Sequence, residues 1–548
     1  MELNLNTYTV FEITVCQCSG PGRCQLAMSE LKAIKQQGLF LEIESRYLEG
    51  AGIFVRSGIN YILVRKEVAS LFASLETVLD QGRICNVIGP PGTGKSLATY
   101  SFACMILDRG FIITWIHLYN RQEHKYVRFA DGQKTQGVLD GIEEFESFLA
   151  ASTIGQNHLL ILDGVTPDHR DADKLSYKWL RKDLPNRRLI HVSSMASGIR
   201  FSADEKRENK YFEVKFLSWR LADYLEAIKN SGFLAQIETM LDAHIPPSGL
   251  PGAAGPKRGI PDISLSAENK IESKFHFAGG SSRAMFDMTT DQIVAEVSDD
   301  VQRATHLFGY LSGEISECSD KTVNRLLSWY VDSSSLLRCI PVSAFASSAI
   351  AIRLGPQMVS NLRRALQNEA NPSMDGILLE MWIFAKLRVS NLKFREKCDG
   401  AWIDSEWKGS VVISFNPLTR MPPILPSEGT WLKPTRWQQG GYDAVQINLR
   451  EKRVVFLQIT RSTSHSFLTD YFANLLDQIK YVWCQEIKYL AIYFVVPTTR
   501  GATFRVEKPS TSGLFSDYFV FGDAANAKWE KGSELSHVKI CCVDDEQQ

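Results

Sequence analysis

Apolar positions along the chain change period several times, and those changes mark its elements. Residues 1–60 mix apolar and polar positions without a sustained period and read as a divergent N-terminal segment. From "YILVRKEVASLF" an amphipathic helix leads into a short apolar strand, Ile84 to Ile88, and then another helix. Four further β-branched runs follow between helical stretches: "FIITWIHLY", "HLLILDGV", "RRLIHVSS" and "YFEVKFLSW". Short apolar runs that alternate with helices predict a parallel sheet covered on both faces. Residues 246–262, "PPSGLPGAAGPKRGIPD", are rich in Pro and Gly and predict a surface loop or insertion. A mostly helical stretch then runs to about residue 370. A second α/β pattern closes the chain: the helix "DGILLEMWIFAKL", two strands, a helix and the strand "YLAIYFVVP". No internal repeat is present.

The first strand ends in "GPPGTGKS", Gly89, Pro90, Pro91, Gly92, Thr93, Gly94, Lys95 and Ser96, a full G-x-x-x-x-G-K-[ST] match between strand and helix. Its glycines let backbone N–H groups wrap around phosphates, and the following helix N-terminus favours negative charge. Lys95 is expected to reach the β- and γ-phosphates of ATP or GTP, and Ser96 to hold Mg²⁺. Asp163, ending the apolar run "HLLILD", is expected beside Ser96 as the second metal-binding group. Gly164 follows it, where many ATPases carry a water-activating Glu, which argues against fast hydrolysis. Ser193 or Ser194 is a candidate for the γ-phosphate, and Arg283 in "GGSSR" for a phosphate contact from a lid.

The C-terminal half holds a second set. "YDAVQINLREKRVVFLQIT" reads as a hairpin, and a two-residue turn at Arg450–Glu451 places Asp443 opposite Gln458. One face then carries Asp443, Gln458 and Thr460 at the open end of an otherwise apolar row. A carboxylate buried there costs several kcal/mol unless it is paired or binds a cation. This is the layout of the PD-(D/E)xK nuclease core, with Glu380 of "DGILLEMW" as the first acid and a divalent metal held by Glu380 and Asp443. Gln458 stands at the second acid and Thr460 at the lysine. His465 or Lys480 is therefore the candidate proton carrier. The rival reading is a catalytically dead domain whose polar residues cap a sheet edge.

Composition narrows the class. The 548 residues carry 61 Lys+Arg against 62 Asp+Glu, a net charge of −1, so any nucleic-acid contact must rely on a local groove. The hydrophobic share of 44% and charged share of 22% describe a globular chain long enough for several cores. Eleven scattered cysteines do not form a secreted disulfide framework, and no Cys/His group at zinc spacing accompanies Cys16, Cys18 and Cys24. Neither a membrane-spanning apolar run nor a conventional signal peptide is evident, so no membrane partner is expected.

The ordered set "ILVRKEV", "GPPGTGKS", "LLILDGV", "RRLIHVSSM", "FLSWRLADY", "KFHFAGGSSRAMF" and "YDAVQI…VVFLQIT…SH" resembles the Crinkler-type effectors of filamentous plant pathogens and the related retrotransposon hot spot proteins. The resemblance spans roughly residues 60 to 500 and implies a P-loop NTPase parallel sheet with a helical lid, followed by a restriction-endonuclease-like α/β domain. The domains then read 1–60, 61–290 (NTPase), 291–370 (lid and linker) and 371–548 (nuclease-like). It also implies that Arg283 is the lid arginine, that Gln458 and Thr460 form an inherited Q-x-T variant, and that DNA is the partner. Secretion, a host nucleus and host nuclear proteins are implied by the same resemblance, and oligomerisation is left open. The L-x-L-F-L-A-K header of that family is present only as "GLFLEIESRYL", which leaves a resident intracellular or nuclear protein as the alternative. The function expected is an NTP-binding protein coupled to a metal-dependent nuclease, or an NTP-switched nucleic-acid- or chromatin-binding protein on a dead nuclease fold.

Overall fold

The computed structural model describes residues 24–27, 34–81, 84–119, 123–195, 204, 207, 210–242, 266–305, 324–331, 337–360, 372–398, 401–415, 429–434, 441–465, 467–483, 487, 489–507, 520–521, 527–528 and 538–544. The Pro/Gly-rich stretch 246–262, Cys16, Cys18 and the side chain of Lys480 lie outside them.

The N-terminal part contains β1 (Cys24–Ala27), β2 (Ile34–Gln37), β3 (Phe40–Glu44), β4 (Ile59–Leu63) and α1 (Lys66–Asp80). The P-loop unit continues with β5 (Ile84–Gly89), α2 (Lys95–Met105), β6 (Ile112–Leu118), β7 (Glu123–Ala130), β8 (Gln133–Asp140) and α3 (Gly141–Ala150). It closes with β9 (His158–Val165), α4 (Arg170–Arg181), β10 (Arg187–Ser194) and β11 (Tyr211–Lys215). The sheet order is β1-β8-β7-β6-β9-β10-β5-β11. From β6 to β11 every pair is parallel, and one strand separates the P-loop strand β5 from β9 with Asp163. All four expected apolar runs are strands of this sheet, and their carboxyl ends meet at one edge, where α/β sheets bind ligands.

Three expectations change. Residues 40–60 are not a separate segment, because Leu41, Ile43, Tyr47 and Leu48 share a core with α1 and α2. The helices expected as a lid from residue 291 begin well before it: α5 (Leu221–Ala227), α6 (Ser231–Ile237), α7 (Ala267–Ala278), α8 (Ser282–Asp287) and α9 (Thr290–Arg303) share one buried cluster. The stretch to 370 is also not wholly helical, since β12 (Leu327–Val331) and β13 (Leu337–Pro341) form a hairpin before α10 (Ala344–Leu354). One buried cluster runs from Tyr224 and Phe286 through Ile350 to Ile383 and Leu457, so packing joins the lid to the C-terminal helix and sheet.

The C-terminal unit comprises α11 (Pro372–Val389), β14 (Leu392–Cys398), β15 (Ala401–Trp407), β16 (Val412–Phe415), β17 (Trp431–Pro434), β18 (Ala444–Asn448), β19 (Arg453–Ile459), α12 (Thr469–Trp483), β20 (Tyr489–Pro497) and β21 (Val538–Val543). Its sheet order is β15-β14-β21-β20-β19-β18-β17-β16. The β18–β19 hairpin is antiparallel, and α12 carries the chain over to β20, parallel to β19. One face buries Leu457 and Ile459 towards α11; the other buries Phe456 and Phe494 beneath α12, with Phe456 against Phe472 of that helix. Helix α11 is buried on nearly every side, from Leu378 to Leu387, which is why its pattern lacks an amphipathic stripe. Glu380 interrupts that apolar surface.

Candidate functional site

The P-loop wraps between β5 and α2 with Gly92 and Gly94 at φ 72° and 91°. Lys95 Nζ donates to the Pro90 carbonyl at 2.9 Å, and Thr93 Oγ1 to the same carbonyl at 3.0 Å. Burial, reinforced by Arg283 and opposed by Asp163, pushes the Lys95 ammonium down to about 8. An anion at the loop would reverse that loss.

Ser96 Oγ donates to Asp163 Oδ1 at 2.7 Å, so the two groups expected to bind metal face each other. The other Asp163 oxygen, Oδ2, lies 2.7 Å from His117 Nδ1. His117 stands directly across from Asp163 in the β6–β9 ladder. A histidine that pairs a carboxylate in this way orients it for a cation. Gly164 has φ 80°, and a Cβ there would sit 2.9 Å from the Leu118 carbonyl oxygen. The backbone therefore requires glycine where a water-activating Glu would otherwise stand.

Ser193 Oγ donates to Asn86 Oδ1 at 3.2 Å, inside the sheet, although both Ser193 and Ser194 line the cavity above the loop. Helix α8 packs against the loop from the other side. Ser282 Oγ donates to the Gly92 carbonyl at 2.7 Å, and the Arg283 amide to the same oxygen at 3.3 Å. Just before this helix, Gly279 at φ 51° lets the Val342 carbonyl stand where a Cβ would otherwise clash. Arg65, nearly fully buried, lies against the rings of Phe216 and Trp219 at 4.9 and 5.2 Å and donates to the Leu217 carbonyl at 2.7 Å. Trp219 Nε1 donates to the Thr93 carbonyl at 2.9 Å. These groups enclose a cavity of about 340 Å³.

In the C-terminal unit, the hairpin register matches the expected one, although the turn is longer. Asn448 pairs with Arg453 and four residues, Leu449 to Lys452, make the turn, yet Ala444 opposite Leu457 leaves Asp443 facing Gln458. Gln458 Nε2 donates to Asp443 Oδ2 at 2.9 Å, and the Ile459 amide to the same oxygen at 2.5 Å. Burial, with Glu380 nearby, pushes the Asp443 carboxyl well up, against the Ile459 amide and Lys433. Glu380 is thus close enough to be felt. Its own partner is Lys433 of β17, with Nζ 2.6 Å from Oε1. Lys433 also donates to Ser348 Oγ of α10 and lies over the Phe384 ring at 4.7 Å.

Two candidates stand elsewhere. Thr460 does not face Asp443: its amide donates to the Val495 carbonyl at 2.9 Å and its Oγ1 accepts from the Ser462 amide at 3.1 Å. The strand has ended at Ile459, so alternation no longer directs the side chain. His465 sits in a two-residue ladder with Arg505–Val506 and packs 5.8 Å from the Phe494 ring, on the α12 face. His117, Lys433 and Arg65 were the residues not singled out from sequence. His117 lies near the end of an expected strand, but only the placing of β6 beside β9 brings it to Asp163. Lys433 lies in "WLKP", four residues whose sequence carries no signal for the site.

Among the described residues there is no group of three or more His, Cys, Asp or Glu side chains that could hold a metal. None of their helices is long and apolar enough to cross a membrane.

No family model matches the chain. No curated protein matches it in sequence either. Similar solved structures include the Thermotoga maritima RuvB Holliday junction branch migration motor, at 13% identity and TM-score 0.25, covering 62% of this chain and 92% of that one. AMPPCP-bound DnaA from Aquifex aeolicus is similar at 12% identity and TM-score 0.24, over 59% of this chain and 88% of that one. The Saccharomyces cerevisiae Hsp104–ADP complex is similar at 14% identity and TM-score 0.24, over 58% of this chain and 42% of that one. At such TM-scores the function of this chain has to be read from its own residues.

Proposed function

We propose that this chain is a P-loop NTPase that binds ATP or GTP with Mg²⁺ and uses the bound nucleotide to control an attached α/β domain acting on nucleic acid. The observation that carries the first half is the Ser96–Asp163 contact of 2.7 Å beside the buried Lys95. A hydroxyl and a carboxylate at that spacing suit Mg²⁺, which takes one or two protein oxygens and completes its shell with phosphate and water. Mg²⁺ bound there neutralises phosphate charge, while Lys95 and Arg283 bring cations from loop and lid. With Gly164 and no acid after Asp163, the site favours holding nucleotide over rapid turnover.

The second half rests on the resemblance to Crinkler-type effectors, as do delivery to a host nucleus and contact with host nuclear proteins. For this domain the geometry argues against metal-dependent cleavage, and nucleic-acid binding rests on the resemblance alone. Glu380 is already neutralised by Lys433, and Asp443 already accepts two hydrogen bonds on Oδ2. These groups do not fit a divalent metal as they stand. A single observation favours the nuclease alternative: Gln458 Oε1 is buried without a hydrogen-bond partner beside Asp443.

One experiment separates the two. Purified protein is incubated with supercoiled DNA and Mg²⁺ or Mn²⁺, and DNA association is measured with and without ATP or GTP. The expected result is association that changes with nucleotide, is insensitive to nucleotide in Lys95→Ala, and survives Asp443→Ala without strand cleavage. Nicking that disappears in Asp443→Ala would replace this reading with the nuclease. Absence of DNA association in every state would remove the nucleic-acid half.

A further inference from the structure

Helix α8 runs from the phosphate loop along the cavity. Its first residues, Ser282 and Arg283, contact the Gly92 carbonyl, and its last, Asp287, lies four residues beyond Arg283. Positions i and i+4 share a helix face and are separated by about 6 Å along the axis. Both side chains line the same cavity. A nucleotide whose phosphates lie at Lys95 and Arg283 therefore presents its sugar, one or two phosphates away, to Asp287.

Asp287 is held for such a contact. Its Oδ1 accepts from Arg56 Nη2, and the same nitrogen donates to the Phe286 carbonyl at 3.0 Å. The Arg56 guanidinium is backed by the Phe54 ring at 5.6 Å. The second carboxylate oxygen, Oδ2, accepts no hydrogen bond from any described residue. Neighbouring polar groups are already committed. Asn60 accepts from the Arg56 amide and donates to the Arg56 carbonyl, both at 2.9 Å, and Arg65 donates to main-chain carbonyls. Phe40, Phe233 and Phe286 make this end of the cavity apolar, suited to a stacked base. Burial pushes the Asp287 carboxyl up despite Arg56 and Arg283, so a hydroxyl donor at Oδ2 would relieve a desolvated carboxylate.

We propose that Asp287, oriented by Arg56, accepts a hydrogen bond from the ribose 2′-hydroxyl and makes the site select ribonucleotides over 2′-deoxyribonucleotides. This rests on the reading of the P-loop as a nucleotide site and adds a residue that sets which nucleotides enter. A carboxylate that accepts from a ribose hydroxyl is an established chemistry for nucleotide cofactors. A site built around that hydrogen bond rejects the analogue that lacks the hydroxyl, because the buried acceptor is left unpaired.

The test is equilibrium titration of the full chain, by calorimetry, with ATP and dATP, and with GTP and dGTP, in Mg²⁺. Wild type is expected to bind ATP roughly tenfold more tightly than dATP, the worth of one charge-assisted hydrogen bond. Asp287→Asn should weaken ATP and leave dATP nearly unchanged, bringing the two within about twofold of each other, and Arg56→Gln should narrow the gap in the same direction. Equal affinity of wild type for ATP and dATP overturns the assignment and needs no variant to fold. So does an Asp287→Asn variant that weakens both nucleotides equally, which marks a structural role. If properly folded wild type binds none of ATP, dATP, GTP and dGTP, the nucleotide reading itself fails, an outcome distinct from equal binding of a ribonucleotide and its 2′-deoxy counterpart.

Discussion

Lys433 Nζ lies 2.6 Å from Glu380 Oε1, so the cation of the C-terminal polar cluster comes from β17 and not from the position just after β19, where Thr460 stands at the expected lysine. The lysine reaches the cluster from a neighbouring strand, past the ring of Phe384, and is tied to α10 through Ser348. Glu380 is therefore balanced within the protein, and the Glu380–Lys433 pair sits where lid and C-terminal sheet share one core.

Removing that cation should be costly. Lys433→Met leaves the Glu380 carboxylate, with 27% of its side chain exposed, without a partner. A loss of about 2 kcal/mol in unfolding free energy is expected, below the cost of breaking a fully buried pair. The double variant Lys433→Met/Glu380→Gln should cost less than the sum of the two single changes, because neither residual charge remains. Urea unfolding of the four proteins measures the cycle; strict additivity would show that the pair contributes nothing.

Asp443 should make the domain sensitive to pH. Its folded pKa is raised above the unfolded value, mainly by burial and then by Glu380, so the bound proton stabilises the fold at low pH. That stability is fully present below 3.8 and is lost as pH rises towards the folded value. Asp443→Asn keeps an acceptor for the Ile459 amide without the titration. The wild type should therefore lose stability relative to Asp443→Asn as pH increases from acid to neutral. Unfolding curves that shift in parallel for both proteins would contradict this account.

Lys95 gives the opposite pH window. Its folded pKa of about 8 lies below the ordinary 10.5, so the unfolded chain binds the extra proton between those values. Stability of the nucleotide-free wild type should then rise with pH across that interval relative to Lys95→Met. The expected gain is about 3 kcal/mol, from 1.36 kcal/mol per pKa unit. Denaturant midpoints of both proteins at the two ends of the interval provide the check. A saturating nucleotide that contacts Lys95 should flatten the difference, since a phosphate restores the charged form.

Much of the nucleotide site was legible because local sequence and local structure coincide there. The P-loop is one continuous run between a strand and a helix, and Asp163 is marked by four apolar residues that end in an acid. The register of the β18–β19 hairpin was legible for a similar reason. Pairing Asp443 with Gln458 depends only on where the turn is centred, so opening it from two residues to four changed nothing. The β7–β8 hairpin carries an equally local signal. Asp131 and Gly132, at φ 52° and 69°, form the two-residue turn that an Asp-Gly pair signals between alternating strands.

The sequence by itself determined the elements whose cause lies within a few residues: the phosphate loop, the apolar strands, the alternation that points Gln458 at Asp443. It could not determine which side chains meet across strands that are distant in the chain. Thr460 leaves the cluster because its strand stops one residue earlier, and Lys433 enters it because β17 lies beside β18. His117 meets Asp163 only once β6 is placed next to β9. Residue period decides the face a side chain takes, but sheet order decides its neighbours, and sheet order is set by how the buried faces of the whole chain pack together.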